Sequence, residues 1–112
     1  MAIQKGSGTP GALNARVSIP DSHPAFAGHF PGAPVLPGVV QIGLVLDALR
    51  EVGPPLVVVR IPFVRFRSAV GPGDVLDMRM TPPGPDGRVG FEISRNGGVV
   101  SHGTLVLEVA GD

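Results

Sequence analysis

The sequence predicts an α+β domain in which an antiparallel sheet of about five strands curls around one central helix. Three observations carry this. One segment, Pro37 to about Val52, has the length and composition of a helix. That segment is apolar nearly all round, through Val39, Val40, Ile42, Leu44, Val45, Leu46, Ala48 and Leu49. A helix without a polar face must be covered on every side, and only strands remain to cover it. Most of the rest divides into β-type runs separated by the chain's abundant glycines and prolines, 17 and 13 of its 112 residues. Such a length suits one domain with one modest core.

The elements follow in order. Residues 1–12 are Gly-rich and read as a loose N-terminal segment, which leaves 13–110 as a single domain. Asn14 to Ile19 alternates through Ala15, Val17 and Ile19 and predicts a first strand. Pro20 to Gly38 is loop, with room for one short turn. Pro37 has the φ a first helical position needs, and Gly53-Pro54-Pro55 stops the helix. Leu56 to Val70 is a long strand candidate, with Pro62 marking a bulge or break. Gly71-Pro72-Gly73-Asp74 is a turn in which the Asp74 side chain closes the backbone. Val75 to Thr81 alternates, and Pro82 to Gly87 turns again. Arg88 to Arg95 and Val99 to Val109 then form a hairpin about Asn96-Gly97-Gly98. No internal repeat is visible.

Composition narrows the functional classes. Nine basic residues balance nine acidic ones, so nothing favours nucleic acid or an anionic membrane as partner. There is no cysteine, which excludes disulfides and thiolate metal sites, and no metal site is expected. No apolar run reaches the roughly 18–20 residues of a membrane span, and no cleavable signal is visible, so a cytoplasmic protein is the default expectation.

The chemistry concentrates in the run Gly28-His29-Phe30-Pro31-Gly32-Ala33-Pro34-Val35-Leu36-Pro37-Gly38-Val39-Val40-Gln41-Ile42. Gly28, Pro31, Gly32 and Pro34 stiffen a loop around His29, and imidazole titrates near neutral pH. A general acid/base follows; the alternative is a structural histidine bonded to a backbone carbonyl. The helix then begins at Pro37-Gly38, preceded by Leu36, whose side chain cannot cap it. The first N–H groups of a helix have no internal partner, and the helix dipole favours negative charge there. A thioester carbonyl becoming an enolate is such a charge, and Gly38 permits close approach; water is the alternative cap.

Read together, these residues resemble the beta-hydroxyacyl-acyl carrier protein dehydratase family of hot-dog folds. The pattern His-Phe-Pro-Gly…Pro-Val-Leu-Pro-Gly-Val carries the resemblance, supported by Val64-Arg65-Phe66-Arg67-Ser68-Ala69-Val70-Gly71-Pro72-Gly73-Asp74-Val75-Leu76. It covers about residues 14 to 109. The resemblance implies dimers whose sheets join into one, with active sites at the dimer interface. It implies no cofactor of the protein's own, the substrate arriving on the phosphopantetheine arm of an acyl carrier protein. His29 then matches the catalytic histidine that takes the α proton. Val35 matches the residue whose carbonyl orients the imidazole, and Gly38 the residue whose N–H binds the thioester carbonyl.

One departure bears on activity. The family places Asp or Glu fourteen residues after the histidine, to protonate the leaving hydroxyl, and Gly43 stands there. Gln41 lies two residues earlier on another helix face. Asp47 lies one turn later, about 6 Å further along the axis. Either is a substitute only if the site is shifted, and Asp47 also reads as a surface carboxylate near Arg50. Arg65 and Arg67 share one sheet face, either solvated or attracting an acidic carrier protein or the arm's phosphate. His23 and His102 read as surface residues. The sequence therefore points to a 3-hydroxyacyl-acyl carrier protein dehydratase-like protein of fatty acid or polyketide-type biosynthesis. The catalytic candidates are His29 and Asp47. Val35, Gly38, Gln41 and Gly43 are candidates for substrate binding, and Arg65 and Arg67 for carrier binding. The competing readings are a non-catalytic hot-dog subunit beside an active paralogue, and an acyl thioesterase.

Overall fold

The computed structural model describes residues 3–5, 12–26, 35–51 and 55–110. The chain forms β1 (Ile3–Lys5), β2 (Leu13–Ser18), a short 3-10 turn (Pro24–Phe26), α1 (Gly38–Glu51), β3 (Leu56–Phe66), β4 (Val75–Met80), β5 (Arg88–Arg95) and β6 (Gly98–Val109). All strands join one antiparallel sheet in the order β1-β2-β4-β5-β6-β3.

Alternation builds the sheet's inner face. Ala15 and Val17 on β2, Leu76, Met78 and Met80 on β4, and Val89, Phe91 and Ile93 on β5 are all buried. Between them Arg16, Asp77, Arg79 and Glu92 face outward, in the ion pairs Arg16–Asp77 and Arg79–Glu92. A period of two puts one set inside and the other in water. The β5–β6 hairpin turns on Asn96 (φ 53°) and Gly97 (φ 81°). Two consecutive residues at positive φ give the tight turn that matches strand twist. Gly98 is therefore the first residue of β6 rather than part of the turn.

Two expectations change. Three residues of the segment expected to be loose form β1, pairing Ile3 with Val17 and Lys5 with Ala15. That pairing uses the open backbone edge of β2, which no side-chain pattern announces. Nor is α1 buried all round. Gln41, Leu44, Val45, Ala48 and Leu49 form one buried stripe at helical spacing, while Val39 is 75% exposed. The chain's own sheet covers only one side of the helix.

β3 is one edge strand of the sheet, opposite β1. Its register against β6 shifts between Val58 and Arg60 and again between Arg60 and Phe63. The second shift spans Pro62, which has no N–H to give the ladder and is tolerated on an edge. Val57, Val59, Ile61, Phe63 and Phe66 are all exposed large hydrophobics.

Candidate active site

The apolar start of α1 is held to the sheet by main-chain bonds. The Leu36 N–H donates to the Val70 carbonyl at 2.7 Å. The Val40 and Gln41 N–H groups both donate to the Pro37 carbonyl, at 3.0 and 3.3 Å. That leaves the N–H groups of Gly38 and Val39, at the very start of the helix, as the donors without an intrahelical acceptor. An open cleft of about 580 Å³ lies here, lined by Val35, Leu36, Pro37, Gly38, Gln41, Phe66, Arg67, Ser68 and Ala69. The helix start and the exit of β3 form its two walls.

Gly38 lies tightly under the Phe66 side chain. A Cβ at this position would stand 2.5, 2.7 and 2.9 Å from Cζ, Cε2 and Cε1 of Phe66. The Phe66 ring lies directly over the first turn of α1, half exposed, at the place where a ligand would meet the helix N-terminus. Gln41 is turned inward, 3% exposed, and its Oε1 accepts a 2.8 Å hydrogen bond from the Ser101 hydroxyl on β6. Its amide nitrogen carries two further donors. No shared neighbourhood in sequence pointed to Ser101 or Phe66; the sheet register brings them to the helix.

The expected site residues divide. Val35, Gly38 and Gln41 meet at the cleft, and Arg67 borders it. His29 and its Gly/Pro loop, residues 27–34, lie outside the described residues, as do Gly53 and Pro54 of the expected helix stop. Gly43 does not line the cleft: two residues on from Gln41 is a rotation of about 200°. It shares the helix's open face with Val39 and Asp47, and a Cβ added there would meet nothing within 4 Å. Asp47, the other catalytic candidate, does not line the cleft either. Its side chain is 60% exposed and its Oδ1 lies 3.9 Å from Arg50 Nη1, away from the cleft. No carboxylate lines the cleft among the described residues.

Arg65 faces outward opposite His102. His102 is not a bare surface residue: Arg67 Nε donates to its Nε2 at 3.4 Å, and its ring lies 5.5 Å from that of Phe63. His23 sits edge-on to Phe26 at 6.0 Å. No group of three or more possible metal ligands occurs among the described residues.

A family model described as ApeI dehydratase, ApeI-like, matches residues 5–104. The chain belongs to the ApeI-like dehydratase family. Similarity to named relatives agrees. The chain is 34% identical to the 3-hydroxyacyl-(acyl-carrier-protein) dehydratase FabZ of Roseobacter denitrificans, over 91% of this chain and 72% of that one. It is 29% identical to the FabZ of Herpetosiphon aurantiacus, over 97% and 82%. It spans about half the length of other FabZ relatives, 56% of that of Syntrophotalea carbinolica and 50% of that of Cereibacter sphaeroides. Among solved structures, the dehydratase heterocomplex ApeI:P from Xenorhabdus doucetiae superposes with a TM-score of 0.82 at 23% identity, covering 93% of each chain. A hypothetical thioesterase from Streptococcus pneumoniae, solved with coenzyme A, gives 0.68 at 16%, covering 99% and 88%. At these identities the structures establish the hot-dog fold. The ApeI-like chain is dehydratase-like by family and hot-dog by fold.

Proposed function

We propose that the chain acts on 3-hydroxyacyl thioesters carried by an acyl carrier protein, removing water to give the enoyl thioester in fatty acid or polyketide-type biosynthesis. The observation that carries this is the cleft at the N-terminus of α1, where Gly38 and Val39 present N–H groups beside an aromatic wall. The thioester carbonyl docks there. His29 takes a proton from the α carbon, and the electron pair moves to the carbonyl oxygen, whose developing charge the Gly38 N–H and the helix dipole stabilise. The pair then returns, the α–β double bond forms and the β-hydroxyl leaves. Hydroxide is a poor leaving group, so a proton must reach it. With no carboxylate at the cleft among the described residues, the protonated His29 imidazole is the donor, returning the proton it has taken.

The open helix face of Val39 and Gly43 and the apolar edge of β3 support a second subunit completing the site, so a homodimer or higher oligomer is the working assembly. Carrier docking has a charge argument. Of the eight arginines, Arg16, Arg50, Arg79, Arg88 and Arg95 pair with acids. The three without an acid partner among the described residues are Arg60, Arg65 and Arg67, all on β3 or one residue past it. Unneutralised guanidiniums suit the phosphate and acidic surface of a carrier. A cytoplasmic location fits this use; no helix among the described residues is long and apolar enough to cross a membrane.

A second reading has its own observation. Gly43 leaves open space where the family places an acid, and the Xenorhabdus relative is a heterocomplex. A non-catalytic subunit beside an active paralogue would show both features. Thioester hydrolysis has weaker support, because the thioesterase likeness is one of fold. Hydration of an enoyl thioester separates the readings. Turnover by the parent chain, reduced 10²–10⁴-fold by His29→Ala, supports catalysis by this chain. Turnover only after an active hot-dog paralogue is added supports the non-catalytic reading.

A further inference from the structure

The wall of the cleft opposite α1 is held by one arginine. Arg95 is the last residue of β5, on the rigid sheet beside the Asn96–Gly97 turn. Its Nη1 donates to the Ala69 carbonyl at 2.7 Å and to Asp74 Oδ2 at 2.7 Å. Asp74 Oδ2 also accepts the Gly71 N–H at 2.8 Å. The side chains of Arg95 and Asp74 are only 28% and 27% exposed, the most covered of the ion pairs among the described residues.

The geometry reaches α1 through a single peptide group. The Val70 carbonyl and the Gly71 N–H belong to the same peptide plane. Asp74 fixes that plane at its N–H end; at its carbonyl end it accepts the Leu36 N–H at 2.7 Å. Arg95 fixes the preceding plane as well, through the Ala69 carbonyl. Bonds at both ends of one peptide polarise each other and hold it in one orientation. Leu36 is followed directly by Pro37, whose φ is fixed, and then by Gly38. A rigid path therefore runs from the sheet through Arg95, Asp74 and the 70–71 peptide to the first N–H groups of the helix.

We propose that Arg95 is a positioning residue: acting through Asp74 and the 70–71 peptide, it aims the N-terminus of α1 at the thioester carbonyl. Its kinetic consequence rests on the dehydratase reading above; its structural consequence does not. Two readouts keep these apart. The first is exchange of the Leu36 amide hydrogen in the ligand-free protein, followed by NMR in the parent, Arg95→Gln and Asp74→Asn. Loss of the clamp should speed Leu36 exchange at least about fivefold relative to amides in β5. The second is steady-state hydration of an enoyl-pantetheine thioester at a temperature where each variant is folded. A misaimed donor acts on the developing charge, so kcat should fall about tenfold while KM changes less than about twofold. Arg95→Lys, which keeps a cation against Asp74, should recover part of that loss. Unchanged Leu36 exchange in both variants overturns the proposal. So does a kcat within about twofold of the parent despite faster exchange, the result expected of a purely structural clamp. If the parent itself turns over no enoyl thioester, the dehydratase reading fails first, and Leu36 exchange alone decides whether Arg95 sets the helix start.

Discussion

Two glycines on α1 behave in opposite ways. Gly38 lies under the Phe66 ring, and a methyl group there collides with three ring carbons. Gly38→Ala should therefore destabilise the chain by about 1–3 kcal/mol, the usual range for overpacking. In a denaturant-midpoint double-mutant cycle, Phe66→Leu should remove most of that cost, because the colliding atoms leave with the ring. Gly43 has nothing to collide with. Gly43→Ala should raise stability by about 1 kcal/mol through helix propensity alone. Gly43→Glu places a carboxylate fourteen residues after His29, where the family resemblance implies one. Because the helix face of Gly43 points away from the chain's own cleft, the acid would serve a second subunit's cleft across the proposed dimer. The dehydration rate measured by loss of the 3-hydroxyacyl thioester should then increase; no increase would mean that the open helix face does not border the reacting carbon. The motif around Gly38 was legible because Pro-Gly after an uncapped Leu36 is a local feature. Phe66 as its cover was not, nor was Ser101 as the partner of Gln41 sixty residues away. Periodicity along a chain carries no information on which distant side chains meet.

At the scale of elements, the hairpin and the strands were readable from turn chemistry and alternation. Asn96-Gly97 is the strongest local signal in the chain, and the two positive φ values fulfil it. β1 was hidden because backbone pairing to an edge needs no particular side chains. The helix was overread: apolar residues all round implied cover all round, yet this chain supplies cover for one stripe only. The uncovered side of α1 and the edge of β3 make one argument. An edge strand of eleven residues with Val57, Val59, Ile61 and Phe63 exposed invites pairing with another strand. Val59 and Ile61 are 49% and 43% exposed, so Val59→Lys with Ile61→Lys should cost little in the isolated chain. Light scattering should give at least twice the chain mass for the parent and a single chain mass for the double variant. A parent that remains a monomer at micromolar concentration would remove the dimer from the account.

For the whole molecule, the parts converge on one end of the helix. The sheet supplies a rigid frame, Leu36 and Val70 tie the helix start to it, and the end of β3 brings Phe66 and Arg67 to the same border. Neutral overall charge hides this, since the nine cations and nine anions are unevenly placed. The proposed carrier-borne thioester suits such a border: its anionic arm would meet Arg67 and its carbonyl the helix N-terminus. The most direct test starts the reaction from both sides. The purified protein is incubated separately with a 3-hydroxyacyl and an enoyl thioester of the same acyl chain on a carrier protein, and each mixture is followed by mass spectrometry. The account predicts gain or loss of one water and the same final ratio from either start. No conversion in either direction, by the parent or by Gly43→Glu, would contradict it.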